Sequence, residues 1–242
     1  MLPNGNSQEH FLYFKNKILA GEPFSLIRPN DGEYMIMNRI VFNTQDVWGY
    51  DGKGCLCEDL HNSIRKMISL KNAYVGIPCK GCYNHIYPWV MNTFQIPSDT
   101  LTYGNIFCNL NWRPFVNIFL ENKLPFHYIG PYKSNNYAMS VQSVFPVEEL
   151  LVHTWDSKKD SIICGVKDWA ADKTGIFIFS AGPITKVLIP ILVEQNPNNT
   201  YLDAGSSFDL FMKGSTNRGY INPNDYYTNI ICDFQTGHTI KK

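Results

Sequence analysis

The chain has 242 residues, 44% hydrophobic and 17% charged, with 21 basic side chains against 21 acidic. That length can bury a sizeable core, and the composition is that of a globular protein rather than a disordered one. Zero net charge forces no broad cationic face, which argues against a dedicated nucleic-acid binder. No run of about 18 apolar residues occurs, so no transmembrane segment is expected. The opening MLPNGNSQEHFLYF lacks the charged and apolar regions of a secretory leader. Seven cysteines, an odd number, then fit reduced thiols and a cytoplasmic location.

In chain order, the pattern predicts a helix over His10–Ala20, closed by Gly21-Glu22-Pro23, and a strand over Phe24–Ile27. An Asn30-Asp31-Gly32 turn leads into a helix over Glu33–Phe42. Leu60, Ile64, Met67 and Ile68 give Glu58–Leu70 the spacing of an amphipathic helix. Ala73–Ile77 reads as a strand closed by Pro78. Thr100–Phe107 and Phe126–Gly130 are further strands, with a helix over Trp112–Glu121 between them. A short helix is expected over Pro146–Val152 and a strand over Ser161–Cys164. Gly175–Ser180 is a buried strand, Ala181-Gly182-Pro183 a tight turn, and Ile184–Glu194 a helix with an interior Pro190 that should kink it or delay its start. Thr200–Asp203 is the next strand. Strands alternating with helices of about a dozen residues indicate an α/β fold with a largely parallel sheet. Ligands of such sheets bind outside the carboxyl ends of the strands. That rule selects Arg28–Glu33, Ser180–Pro183 and Asp203–Asp209.

Asp31-Gly32-Glu33 places two carboxylates one residue apart, and a bend at Gly32 could turn both toward one hard cation. Mg²⁺ or Mn²⁺ prefers such oxygen ligands, usually completed by substrate phosphates. Asn-Asp-Gly is also an ordinary turn, and Asp31 could simply cap the helix. Arg28 suits either a phosphate or an ion pair with Asp31. In IFIFSAGPITK, a strand, a turn of small residues and a helix start turn backbone N–H groups toward the strand end. A diphosphate would fit there, near Ser180, Gly182, Pro183 and Lys186; a plain turn without ligand is the alternative. YLDAGSSFDLFMKGSTNRGY concentrates Asp203, Ser206, Asp209, Arg218 and Tyr220, as a sugar or nucleotide pocket would require. The alternative is a helix capped by Ser206 or Ser207 with a solvated loop behind it. Cys79-Lys-Gly-Cys82, with Cys55-Leu-Cys57 upstream, could form a four-thiolate zinc site, a redox pair or simply reduced thiols. Neither a P-loop nor a dinucleotide fingerprint is present.

Taken in order, these blocks resemble the GT-D-type glycosyltransferases. FSLIRPNDGE is similar to that group's strand–Arg–x–Gly–Asp–Gly–Glu block, with Asn30 in place of glycine. YVGIPC resembles its Val-Gly-Ile-Pro strand end, and LTYGNIFCNLNW a Thr-x-x-x-x-Phe-x-Asn-x-Asn-Tyr/Trp block. IFIFSAGPITKVL and YLDAGSSFD resemble its late turn, helix and strand, so the likeness spans about Phe24 to Tyr220. The resemblance implies one Rossmann-like domain over residues 1–242, with an N-terminal helix in 1–22 and a C-terminal extension over 221–242. It implies transfer of a sugar, hexosyl or pentosyl, from a nucleotide-diphosphate donor, UDP favoured, to a glycan or other hydroxyl. Mn²⁺ or Mg²⁺ would sit on Asp31 and Glu33. Arg28, Asn30, Gly32, Ser180, Gly182, Pro183 and Ser206 would meet the donor. Asn109, Asn111, Trp112, Arg218 and Tyr220 would meet sugar or acceptor. Asp209, and after it Asp203, are candidates for the general base that inversion requires. Another nucleotide-dependent transferase or phosphohydrolase using the same acidic turn, or a non-catalytic carbohydrate or nucleotide binder, is the alternative.

Overall fold

The structure is a computed structural model, and it describes residues 2–43, 49–133, 139–148 and 151–240. Helix α1 (Ser7–Ala20) begins where Asn6 Oδ1 accepts from the amides of Gln8 and Glu9 while Glu9 returns a carboxylate to the Asn6 amide. It ends at Gly21, whose φ of 67° is the left-handed value that closes a helix with backbone bonds. Strand β1 (Ser25–Ile27) and helix α2 (Asp31–Met37) follow, then a two-stranded ribbon of β2 (Phe42–Asn43) and β3 (Gly49–Tyr50). Next come α3 (Leu56–Ser69), β4 (Ala73–Ile77), α4 (Ile86–Phe94), β5 (Leu101–Tyr103) and α5 (Trp112–Glu121). The second half runs β6 (Phe126–Gly130), β7 (Val141–Pro146), α6 (Leu151–Ala170), β8 (Ile176–Phe179), α7 (Ile184–Gln195) and β9 (Thr200–Asp203). A single turn of 3₁₀ helix leads to α8 (Asp209–Met212), and an antiparallel hairpin, β10 (Ile230–Asp233) with β11 (Gly237–Ile240), follows.

Seven of these strands form one parallel sheet in the order β5-β4-β1-β9-β8-β6-β7. Both of its faces are covered, and the side chains show this directly. Along β1, β4, β8 and β9, alternate residues join different apolar clusters: Ile27, Val75, Phe177 and Tyr201 on one face, Leu26, Tyr74, Ile178 and Leu202 on the other. The first face is packed by α2, α3, α4, α6 and α7, the second by α1, α5 and the segment around Phe208. This is the α/β architecture with a parallel sheet that the alternation of elements predicts, and the Rossmann-like fold that the resemblance implies. Helix α7 packs against both α3 and α6, which explains its apolar composition all round and the burial of Pro190.

Two local expectations are overturned. Ser161–Cys164 is not a strand but the middle of α6, which runs unbroken from Leu151 to Ala170. Leu151, Trp155, Val166 and Ala170 are buried at helical spacing, and this period over twenty residues outweighs the local β preference of Ile162-Ile163. Pro146 does not start a helix over Pro146–Val152 but closes β7, an edge strand, where a missing N–H costs least. Two further elements are shorter than expected. Helix α2 stops at Met37 before Arg39 takes a φ of 54°, and β5 stops at Tyr103 because the chain turns at Gly104.

Candidate functional site

Strand β1 lies inside the sheet, beside the central strand β9. The first half of the chain moves outward from it through β4 to β5, and the second half returns to its other side as β9. The carboxyl ends of β1 and β9 are therefore the topological switch point, where open α/β sheets bind ligands. Arg28 leaves β1 there and Asp203 ends β9.

These two residues are bolted together. The Arg28 amide donates to Asp203 Oδ2 at 2.8 Å, and its guanidinium donates to the carbonyls of Asp203 and, at 3.0 Å, Gly104. One of its nitrogens also lies 3.5 Å from Cys108 Sγ. Lys186, from the first turn of α7, reaches the same place: its Nζ is 2.9 Å from Glu33 Oε1 and 3.0 Å from Asp203 Oδ2. None of the four residues is more than 5% exposed. Two cations face two carboxylates, so the cluster is neutral by count. Burial alone would lower the pKa of the Lys186 ammonium, but Asp203 and Glu33 outweigh it and the net shift is upward. Arg28 is likewise shifted upward against burial, by Cys108 and Asp203. Gly205 makes room for this cluster. Its φ is 53°, and a Cβ there would lie 2.5 Å from an Arg28 nitrogen.

The acidic turn divides its two carboxylates between different environments. Glu33 is buried, with one oxygen on Lys186 and the other accepting from the Asn30 amide at 2.8 Å. Asp31 is exposed at the start of α2, and Tyr83 donates its hydroxyl to Asp31 Oδ2 at 3.0 Å. Burial, followed by the nearby Asp31 charge, raises the pKa of Tyr83, so it stays a donor. An ammonium thus stands where Glu33 would otherwise need a cation, and Asp31 is the carboxylate of the pair suited to an added metal.

Two buried side-chain oxygens beyond strand ends have no hydrogen-bond partner: Asn30 Oδ1, past the end of β1, and Ser180 Oγ, past the end of β8. Buried polar atoms in folded proteins are nearly always bonded, so each such orphan calls for an explanation, a bound water or ligand among them. Gly182, with φ 55°, and Pro183 turn the chain from Ser180 into α7, and Thr185 Oγ1 accepts from the Ala181 amide. Pro183 caps this helix rather than opening it.

The downstream candidates separate into two groups. Ser206, Tyr220 and Arg218 come together: Ser206 Oγ and Tyr220 Oη are 2.9 Å apart, and Arg218 Nε donates to Ser206 Oγ at 3.0 Å. Asn111 and Trp112 instead hold the framework, donating to the carbonyls of Ser7 and Ser207. Asn109 is buried with a φ of 53° in the turn before them. Asp203 is enclosed by Arg28, Lys186 and the Gly205 amide, whereas Asp209 opens α8 with Lys213 Nζ at 3.5 Å. Tyr83, Gly104, Cys108 and Gly205 were not legible as site residues, since their roles arise from contacts across the sheet.

Cys55 and Cys57 do not join Cys79 and Cys82. They flank the start of α3, where Cys55 Sγ contacts Asp59 and Cys57 Sγ the Met37 carbonyl. Burial, then Asp156 and Asp59, push the Cys55 thiol up to about 12. Among the described residues, no helix is long and apolar enough to cross a membrane.

No known family profile matches the chain, and no curated protein does. One solved structure is similar: a highly conserved domain of unknown function 1792, described as having a distinct glycosyltransferase fold. It is 17% identical, with a TM-score of 0.54 over 85% of this chain and 81% of that one. At this identity the likeness is one of fold.

Proposed function

We propose that the chain is a metal-dependent glycosyltransferase, moving a hexose or pentose from a nucleotide-diphosphate donor, a UDP-sugar favoured, to a glycan or other hydroxyl acceptor. The observation that carries this reading is the pair of orphaned buried oxygens, Asn30 Oδ1 and Ser180 Oγ, past the ends of β1 and β8, the two strands that flank β9. The fold likeness to a glycosyltransferase-fold domain supports it.

In this reading the buried residues and the exposed ones have different tasks. Arg28, Asp203, Lys186 and Glu33 fix the ends of β1 and β9 and the start of α7 as one rigid frame. Asn30, Ser180 and the turn through Gly182 face the donor. Asp31, oriented by Tyr83, holds Mn²⁺ or Mg²⁺. A cation bound there would offset negative charge on the diphosphate. Ser206, Tyr220 and Arg218 line the sugar or acceptor side. For an inverting reaction Asp209 is the general base, because Asp203 is committed to the frame. A binder without turnover is the second reading, favoured by the internal neutralisation of Glu33 by Lys186.

A thermal-shift screen of nucleoside diphosphates and nucleotide sugars, with and without Mn²⁺, tests the proposal. One nucleotide should raise the midpoint in a metal-dependent way, by mass action on the folded state. If no nucleotide stabilises the protein with or without Mn²⁺, the proposal is wrong.

A further inference from the structure

The sequence element left without a role is Cys79-Lys-Gly-Cys82. In the fold it meets the C-terminal hairpin. Cys79 Sγ and Cys82 Sγ are 3.6 Å apart, and Cys232 Sγ, from β10, is 3.5 Å from Cys82 Sγ. His238 stands directly across the hairpin from Cys232. The ligating atoms of Cys79, Cys82 and His238 all lie within 4.8 Å of one another. Cys79 and Cys232 are buried, at 0% and 1% exposure.

Three features distinguish this cluster from a chance gathering of thiols. His238 Nδ1 is buried and has no hydrogen-bond partner. It is directed at the C-x-x-C turn, since a Cβ on Gly81 would lie 2.5 Å from it. The amide of Asn105 donates to two of the sulfurs, Cys82 at 3.3 Å and Cys232 at 3.6 Å, as outer-shell donors to metal thiolates do. The sulfur separations also have the right scale. Zinc–sulfur bonds of about 2.3 Å in a tetrahedron set sulfurs about 3.8 Å apart, close to the 3.6 and 3.5 Å found here.

We infer that Cys79, Cys82, Cys232 and His238 form a structural zinc site that clasps the β10–β11 hairpin to the end of β4. Four protein ligands leave no open position, so the ion is structural rather than catalytic. The other His238 nitrogen, Nε2, lies 3.5 Å from Tyr226 Oη, an outer-shell contact that would help set the ring. The clasp also has a consequence for the switch-point cluster. Tyr83, which orients Asp31, follows Cys82 directly, so zinc would fix the loop that presents it.

The test uses the full chain purified under reducing conditions without a metal-affinity step. Elemental analysis should find about one zinc per chain. After chelation, Co²⁺ added back should give the intense visible bands and sulfur charge transfer of a tetrahedral thiolate site. An ion held by Asp31 gives only the pale spectrum of oxygen ligands, so the two sites are read separately. Cys232→Ser and His238→Ala should lose the zinc, while Cys55→Ser and Cys57→Ser keep it. Should the first two variants not fold, the cobalt spectrum of the unmodified chain decides. A chain that binds neither zinc nor cobalt in this way overturns the inference. So does undiminished zinc in folded Cys232→Ser and His238→Ala proteins.

Discussion

Lys186 and Asp31 show how far two charged residues near one site can differ in task. Lys186 sits between two buried carboxylates, so Lys186→Met would leave Glu33 and Asp203 to share the single charge of Arg28. Removing one partner of a buried ion pair costs about 3–5 kcal/mol, and urea unfolding should show a loss of that size. Asp31 is exposed, so Asp31→Ala should change stability by less than about 0.5 kcal/mol in the same assay. Because the Lys186 pKa is raised above its ordinary 10.5, its stabilisation is complete below that pH and is lost only as pH climbs through the folded value. Gly205→Ala should cost about 1–3 kcal/mol, since the left-handed backbone and the nearby guanidinium both resist a side chain. Arg28 was legible in the sequence as an unusual charge after an apolar strand. Its role was not, because its guanidinium bonds to carbonyls of residues 104 and 203, and sequence spacing does not reveal such partners.

Elements were legible wherever a single period dominated. Strands β4, β6 and β9 and helix α5 match their expected limits, because short apolar runs or helical spacing were bounded by clear breakers. Helix α6 was missed where two signals conflicted, and β7 because an edge strand with only partly buried side chains carries a weak pattern. The joints between elements supply a pH test. His10 on α1 is 2.9 Å from Thr102 Oγ1 on β5, and His127 on β6 is 2.8 Å from Ser143 Oγ on β7. Burial lowers the pKa of both below the ordinary 6.5. The unfolded chain therefore binds protons first as pH falls, and stability should decline from near neutrality downward. Thermal midpoints between neutral and mildly acidic pH should show that slope. The double variant His10→Gln, His127→Gln should flatten it.

At the scale of the whole molecule, the alternation of strands and helices was enough to anticipate a parallel sheet with covered faces, and Arg28, Ser180 and the end of β9 at Asp203 do lie at its carboxyl ends. Strand order was beyond reach, since periodicity says nothing of which strands are neighbours. The same limit hid the joining of Cys79 and Cys82 to residues some 150 positions away in the hairpin. In the proposed function the switch point is a metal-dependent nucleotide-sugar site with Asp31 as its metal carboxylate. The most direct measurement is acceptor-free hydrolysis of a panel of nucleotide sugars by the unmodified chain and by Asp31→Ala, each with Mn²⁺ and with chelator. The account predicts slow turnover of one nucleotide sugar that requires the metal and disappears in the folded Asp31→Ala protein. Equal turnover with chelator, or undiminished turnover in Asp31→Ala, would contradict it.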